Sequence, residues 1–186
     1  MKAKTNFHII TGGPGVGKTT LIGELRERGY CCVPEVARHI IKEQMEINGD
    51  ALPWLNTRKY SDIMLLRSIH DFIKYSGTDK LHFFDRGIPD TYGYEVLMNF
   101  TMSKKLKDAV TQYRYNSKVF ILPPWLEIYE TDSERKQGFE EALRTFDVMC
   151  KVYSDLGYTI IQVPKASVEE RADFIVSKIK EEAMVL

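Results

Sequence analysis

The sequence is poor in several things, and each shortage narrows the field. No apolar stretch approaches the ~20 residues of a membrane helix, and the start, Met1-Lys2-Ala3-Lys4-Thr5-Asn6, has no apolar signal core. Net charge is absent: 26 Lys and Arg face 26 Asp and Glu. A chain without a global basic field is a poor general binder of nucleic acid, although a local basic groove stays open. Cysteine is scarce, with Cys31, Cys32 and Cys150 forming no C-x-x-C pair or metal cluster. Adjacent Cys31 and Cys32 would point to opposite faces of a strand, poorly placed to bond each other. The expectation is buried thiols in a reducing cytoplasm. His8, His39, His70 and His82 lack metal-ligand spacing and read as structural or surface groups. There is no internal repeat, low-complexity tract or long linker.

What is present is decisive near the amino end. Gly12-Gly13-Pro14-Gly15-Val16-Gly17-Lys18-Thr19 fits the G-x-x-x-x-G-K-[ST] pattern of a phosphate loop. Phe7-His8-Ile9-Ile10-Thr11 before it reads as a buried strand, and Thr20 to Arg26 after it as a helix. Glycines let the backbone bend around a phosphate and aim N–H groups inward. The helix start adds partial positive charge. The cradle runs over Gly13, Pro14, Gly15, Val16, Gly17, Lys18, Thr19 and Thr20. Lys18 is placed to reach the β- and γ-phosphates of ATP, and the Thr19 hydroxyl to bind Mg²⁺.

Along the chain, short β-rich runs alternate with longer helical stretches. Strands are expected at Phe7–Thr11, Cys31–Pro34, Leu81–Asp85, Ser117–Leu122 and Tyr158–Val163. Their apolar character suits strands covered on both faces. Helices are expected at Lys18–Glu27, Val36–Glu46, Thr57–Tyr75, Pro89–Phe100, Lys104–Tyr113, Ser133–Leu156 and Ser167–Ala183. Ser167 with Glu170 forms a capping box, and Pro89 suits a first helical turn. The 186 residues suffice for one domain. The alternation predicts an α/β three-layer fold with a parallel sheet and right-handed crossovers. Ligands in such sheets sit beyond the carboxyl ends of the strands.

The remaining candidates fall at those ends. Leu81-His82-Phe83-Phe84-Asp85 is an apolar strand closing on a carboxylate, a Walker-B arrangement in which Asp85 holds Mg²⁺. Arg86 follows and suits a phosphoryl group. The bland alternative is a capping Asp and a solvated Arg. Glu35 and Arg38 follow the second strand and lie on one side of a starting helix, able to activate and steady an acceptor hydroxyl. The alternative is an ordinary i,i+3 ion pair. Arg135, in Thr131-Asp132-Ser133-Glu134-Arg135-Lys136, would act from a lid over about residues 125–140, against the alternative of a solvated basic helix start. Cations are unusual that early in a helix. Pro164-Lys165-Ala166-Ser167 either meets the adenine ring or merely turns into a helix. Trp54, Tyr92, Tyr94 and Trp125 could stack on an acceptor ring, although core or rim is the commoner fate of such residues.

With these residues assembled, the chain resembles the P-loop kinase-like ATPases of the AAA_28 family over essentially its whole length. The resembling pieces are Gly12–Thr19, P-E-V-A-R at Pro34–Arg38, F-D-R-G-I-P-D-T at Phe84–Thr91, D-S-E-R at Asp132–Arg135 and the ending Tyr153–Pro164. The phosphate loop is specific only to the superfamily; the D-R-G-x-P-D segment and the ending narrow it. The family is similar to nicotinamide riboside kinase domains and, more distantly, to deoxynucleoside kinases. The resemblance implies a single domain over residues 1–186, a five-stranded sheet of order 2-3-1-4-5, and a lid carrying Arg. It also implies that Glu35 acts as base for a hydroxyl; Glu35-x-x-Arg38 is similar to the D-x-x-R pair of phage-type polynucleotide 5′-kinases.

The expected activity is transfer of the ATP γ-phosphate to a hydroxyl of a small molecule, most plausibly a nucleoside or nucleotide. Lys18, Glu35, Arg38, Asp85, Arg86 and Arg135 are the expected catalytic residues. Thr19 and Asp85 hold the metal, and Glu35, Arg38, Asp90 and Tyr94 meet the acceptor. Rival readings are a polynucleotide 5′-kinase, a hydrolase or nucleotide-dependent switch without acceptor, and a non-catalytic nucleotide-binding module. A true AAA+ motor fits less well, because Arg86 stands where such motors place Glu. A GTPase lacks its N-K-x-D motif here. Oligomeric state is not legible.

Overall fold

The computed structural model describes residues 3–128 and 138–183. Five strands form one parallel sheet: β1 (Phe7–Gly12), β2 (Cys31–Val33), β3 (His82–Asp85), β4 (Lys118–Leu122) and β5 (Thr159–Gln162). Their order is β2-β3-β1-β4-β5, the order the resemblance implies. The helices are α1 (Lys18–Glu27), α2 (Val36–Glu46), α3 (Thr57–Tyr75), α4 (Ile88–Leu97), α5 (Lys104–Gln112), α6 (Phe139–Asp155) and α7 (Val168–Ala183).

The sheet is a divider between two cores because side chains alternate along each strand. Phe7 and Ile9 of β1 and Phe84 of β3 join Leu65, Phe72, Tyr115 and Tyr153 on one face. Ile10, Phe83 and Phe120 join Leu21, Leu25, Ala172 and Ile175 of α1 and α7 on the other. A smaller cluster of Ile40, Tyr60 and Met64 packs α2 against α3. Glu95, fully inside the protein, accepts hydrogen bonds from Arg58 and Ser61, both at 2.9 Å, and so fastens α3 to α4.

Where boundaries differ from expectation, the reason is local. Helix α4 starts at Ile88, with Pro89 in its first turn, and stops at Leu97 rather than Phe100. Asn99 adopts φ +56°, and the Phe100 N–H turns back to the Glu95 carbonyl at 2.8 Å. That is a left-handed cap ending the helix, made by Asn where Gly is commoner. Ser167 and Glu170 exchange the two bonds of a capping box ahead of α7. The strands β2 and β5 lie at the sheet's edges and are partly exposed, so full coverage on both faces holds for the central strands alone. The three cysteines are free and half-buried, not buried. Burial pushes the Cys32 thiol up to about 11, away from reactivity near neutral pH. Residues 133–137 of the expected sixth helix lie outside the described residues. No helix among the described residues is long and apolar enough to cross a membrane.

One buried group makes stability acid-sensitive. His8 lies between the Phe83 and Phe120 rings, about 6 Å from each. Burial, assisted by Lys118, lowers its pKa from 6.5 to about 4. Above pH 6.5 the ring is neutral in both folded and unfolded chains, and no penalty arises. As the pH falls toward 4, the unfolded chain takes up a proton that the folded one refuses. Stability therefore drops across that window, by about 3 kcal/mol at most. His8→Phe should flatten the dependence of the urea midpoint on pH between 7 and 4; an unchanged slope would remove His8 as the cause.

Candidate functional site

The site begins where β1 ends. Gly12, Gly15 and Gly17 adopt φ of +152°, +68° and +75°, conformations in which a side chain is strained. A methyl group at Gly13 would stand 2.9 Å from the Ala142 carbonyl, so helix α6 rests directly on the loop. Lys18 opens α1 and folds inward, whereas Thr19 and Thr20 beside it are exposed. The β1–β3 register pairs Ile10 with Asp85, which sets Asp85 alongside the loop. Glu35, two residues past the end of β2 and N-cap of α2, arrives from the next strand over.

These groups meet at close range and out of water: Lys18, Glu35, Asp85 and Asp90 are 5%, 7%, 8% and 5% exposed. The Lys18 ammonium donates to Asp85 and stands 3.5 Å from Glu35. Arg86 Nε donates to Glu35 Oε1 at 2.8 Å, and its Nη1 to Asp90 Oδ1 at 3.2 Å. Arg38 Nε lies 3.5 Å from Glu35 Oε2. Burial alone would weaken the Arg86 charge, but Glu35, Asp90 and Asp85 outweigh it and hold the guanidinium above its ordinary value. Arg86 also carries φ +69°, a left-handed residue with a long side chain. Such a conformation costs roughly 1–2 kcal/mol and persists only where its surroundings hold it.

Asp90 is the chief holder. One of its oxygens accepts from Thr11 and Arg86, the other from the Gly87 N–H at 2.7 Å and the Tyr153 hydroxyl at 2.5 Å. Burial and the neighbouring Asp90 keep the Tyr153 phenol protonated, so it donates. Four donors fill a carboxylate's acceptor positions. In this conformation Asp90 has none left for a further donor, and it holds Arg86 at 3.2 Å. Thr11 and Tyr153 carried no function in the sequence reading. Tyr153 stands at the start of the ending that supports the resemblance, and that was its only signal.

Beyond the charges opens a cavity of about 1110 Å³ between α2, α3, α4 and α6. Pro14, Glu35, Arg38, Arg86, Asp90 and Tyr94 line it, so five of the expected acceptor-side and catalytic residues share one space with the phosphate loop. The Tyr94 hydroxyl is buried and without a hydrogen-bond partner among the described residues. Burial pushes its pKa up to about 12. Trp54 stands at the mouth, 59% exposed. Tyr92 packs against the main core instead. Trp125 lies near Arg171 of α7, whose guanidinium reaches toward the Val16 carbonyl at 3.5 Å. Arg171 is a cation beside the loop that pattern reading passed over. Arg135 and most of the expected lid lie outside the described residues.

The donor set fits the groups that the motif calls for. Three left-handed glycines shape a concave backbone, and a buried ammonium faces it. Thr19 and Asp85 supply oxygens, which suit a hard cation such as Mg²⁺ that keeps waters and phosphate oxygens as its other ligands. Among the described residues no group of three or more His, Cys, Asp or Glu forms a self-sufficient metal cage.

The AAA_28 pattern, described as an AAA domain, matches residues 7–171. The chain belongs to the AAA_28 family. This AAA_28 chain also shares its fold with solved structures, two kinases among those that follow. It superimposes on the NadR protein in complex with NR at TM-score 0.70 and 15% identity, over 94% of its own length and 50% of that chain. It therefore spans about half of NadR. Deoxyadenosine kinase from M. mycoides, with dCMP and a flexible dCDP, gives TM-score 0.67 at 15% identity, over 94% and 99% of the two chains. Shikimate kinase from Acinetobacter baumannii, with shikimate, gives 0.57 at 16% identity, over 95% and 93%. No curated protein matches the AAA_28 chain in sequence.

The Asp90 hub yields a stability test. Asp90→Ala strands the Thr11 and Tyr153 hydroxyls, the Gly87 N–H and one side of Arg86, and should cost about 3 kcal/mol or more in urea unfolding. Tyr153→Phe should cost only about 1 kcal/mol. An Asp90→Ala loss within about 0.5 kcal/mol, the range of an ordinary surface change, would deny the hub.

Proposed function

We propose that this chain is an ATP-dependent phosphotransferase acting on the hydroxyl of a small molecule. The observation that carries the reading is the meeting of Lys18, Glu35 and Arg86 between a phosphate loop and a deep cavity. A hydrolase needs the loop and a group that orients water; a cavity lined by Glu35 suits an acceptor. The kinase folds of the neighbours support the same class, although a fold by itself does not choose a substrate.

Lys18 and the loop N–H groups hold the β- and γ-phosphates of ATP, and Lys18 exchanges its carboxylate partners for phosphate oxygens. Thr19 and Asp85 hold Mg²⁺, which when bound neutralises charge on the phosphates. Glu35 takes the acceptor proton. Lys18, Arg38 and Arg86 hold it in place at 3.5, 3.5 and 2.8 Å, and the role needs a hydroxyl within hydrogen-bond reach. Arg86 and Arg38 spread the charge of the phosphoryl group in transit. Asp90 acts one step back, fixing the Arg86 guanidinium. Catalysis is then positioning and electrostatics without a covalent intermediate. A nucleoside or nucleotide acceptor, the sequence expectation, requires a wall able to read the edge of a base.

Lys18→Ala should abolish ATP turnover while the circular dichroism spectrum stays native. A folded variant with undiminished turnover would displace the site. Glu35→Gln should slow phosphoryl transfer by ~10²-fold or more in single-turnover assays. A loss below about threefold would take the proton-accepting role from Glu35.

A further inference from the structure

The walls of the cavity say more about the acceptor than the reacting end does. Four of the chain's seven methionines, Met45, Met64, Met98 and Met149, line it. They come from separate parts of the chain: α2, α3, the end of α4 and α6. Trp54 and the Tyr94 ring complete that side. Methionine is flexible and polarisable, and surfaces rich in it accommodate apolar bodies of variable shape. No Asn, Gln or His is among the described lining residues. Reading the edge of a base calls for donors and acceptors held in fixed positions, and side-chain amides are the usual means.

The charged lining groups gather at the phosphate end and along one row of α2. Glu35, Arg38 and Arg86 stand at the phosphate end, and Glu141 adjoins the Ala142 that touches Gly13. Lys42 and Glu46 continue from Arg38 along α2 at four-residue steps. The apolar character also extends past the mouth. Met45 and Trp54 are 60% and 59% exposed, and so are Ile47 and Leu55, at 63% and 65%, each within two residues of a lining one. A cavity of about 1110 Å³ slightly exceeds the usual upper range for drug-sized ligands. It suits an acceptor whose far end reaches the apolar rim.

We propose that the acceptor is an amphiphilic alcohol, a primary hydroxyl on a long or bulky apolar body, in place of a polar nucleoside. The inference rests on the phosphotransferase reading for its chemistry and on the wall for its class. The hydroxyl lies against Glu35, and the body runs between the methionines toward Trp54. The alcohol proton passes to the Glu35 carboxylate. A bond forms from the alcohol oxygen to the terminal phosphorus of ATP, and the bond from that phosphorus to its bridging oxygen breaks. The products are ADP and a phosphate monoester, and Glu35 releases the proton to solvent. The Tyr94 hydroxyl supplies a hydrogen-bonding point beside the methionines, with Ser68, Thr91 and Thr145 the small hydroxyl residues of the lining.

The test uses the full chain with decanol and farnesol as probes and adenosine, deoxycytidine and nicotinamide riboside as comparators. Trp54 emission is followed during titration in the presence of Mg-ADP, with Trp54→Phe as the control that loses the signal. Mass spectrometry then follows Mg-ATP reactions for phosphorylated acceptor. Decanol and farnesol should shift Trp54 emission to the blue and gain one phosphoryl group; the nucleosides should do neither. Met45→Glu and Met98→Glu, at positions open enough to keep the fold, should raise KM for farnesol by about tenfold or more and leave kcat and Mg-ATP affinity unchanged. No emission response to either alcohol, or an unchanged KM in both variants, overturns the inference. Phosphorylated nucleosides without an alcohol response overturn it too, and leave the phosphotransferase reading standing. An emission shift with ADP formed but no phosphorylated alcohol upholds the apolar class and overturns the transfer.

Discussion

Two cations and three carboxylates share one dry space at the ends of adjacent strands, and the site depends on their staying paired. Lys18, Glu35, Asp85 and Asp90, all buried, and the partly buried Arg86 are each too costly to take from water alone. Together, with Arg38 at the margin, they come close to balance. The parallel sheet makes this possible. It sends β1, β2 and β3 out on the same side, so that residues distant in sequence arrive within hydrogen-bond reach. A buried ionic cluster contributes little to stability by itself. Its value is that each member is already aimed before any ligand arrives.

The aiming has an order. Arg86 sits in an unfavourable left-handed backbone and would relax if released. Glu35 restrains it from one side and Asp90 from the other. Asp90 is in turn held by Thr11 from the central strand and Tyr153 from α6. Strand and helix thus agree on one position for one guanidinium. A chain of such contacts lets Thr11 and Tyr153, which do not touch Arg86, decide where its guanidinium points.

Much of this was written in the sequence in short stretches. The loop Gly12–Thr19 announces itself because its spacing and its strand–helix flanks are local. Asp85 and Glu35 were found because a carboxylate closing an apolar strand lies at the ligand edge of any such sheet. The order of the strands came from resemblance, since no local pattern encodes which strands neighbour each other. Asp90 was noticed but given to the acceptor: its four partners come from positions 11, 86, 87 and 153, and only folding shows that they saturate it. The methionine wall was invisible for the same reason. Each Met reads singly as core, and only the assembly of α2, α3, α4 and α6 turns them into a surface.

Helix α6 carries three of these relationships on one side. Ala142 abuts Gly13, Met149 faces the cavity and Tyr153 holds Asp90, at spacings that a single helical face supports. A rod that touches both compartments cannot settle against one without moving relative to the other. On the phosphotransferase reading proposed above, a ligand at the loop and one in the cavity would both meet α6, and any effect of one on the affinity for the other would be shared. Whatever factor the first imposes on the second, the second imposes equally on the first.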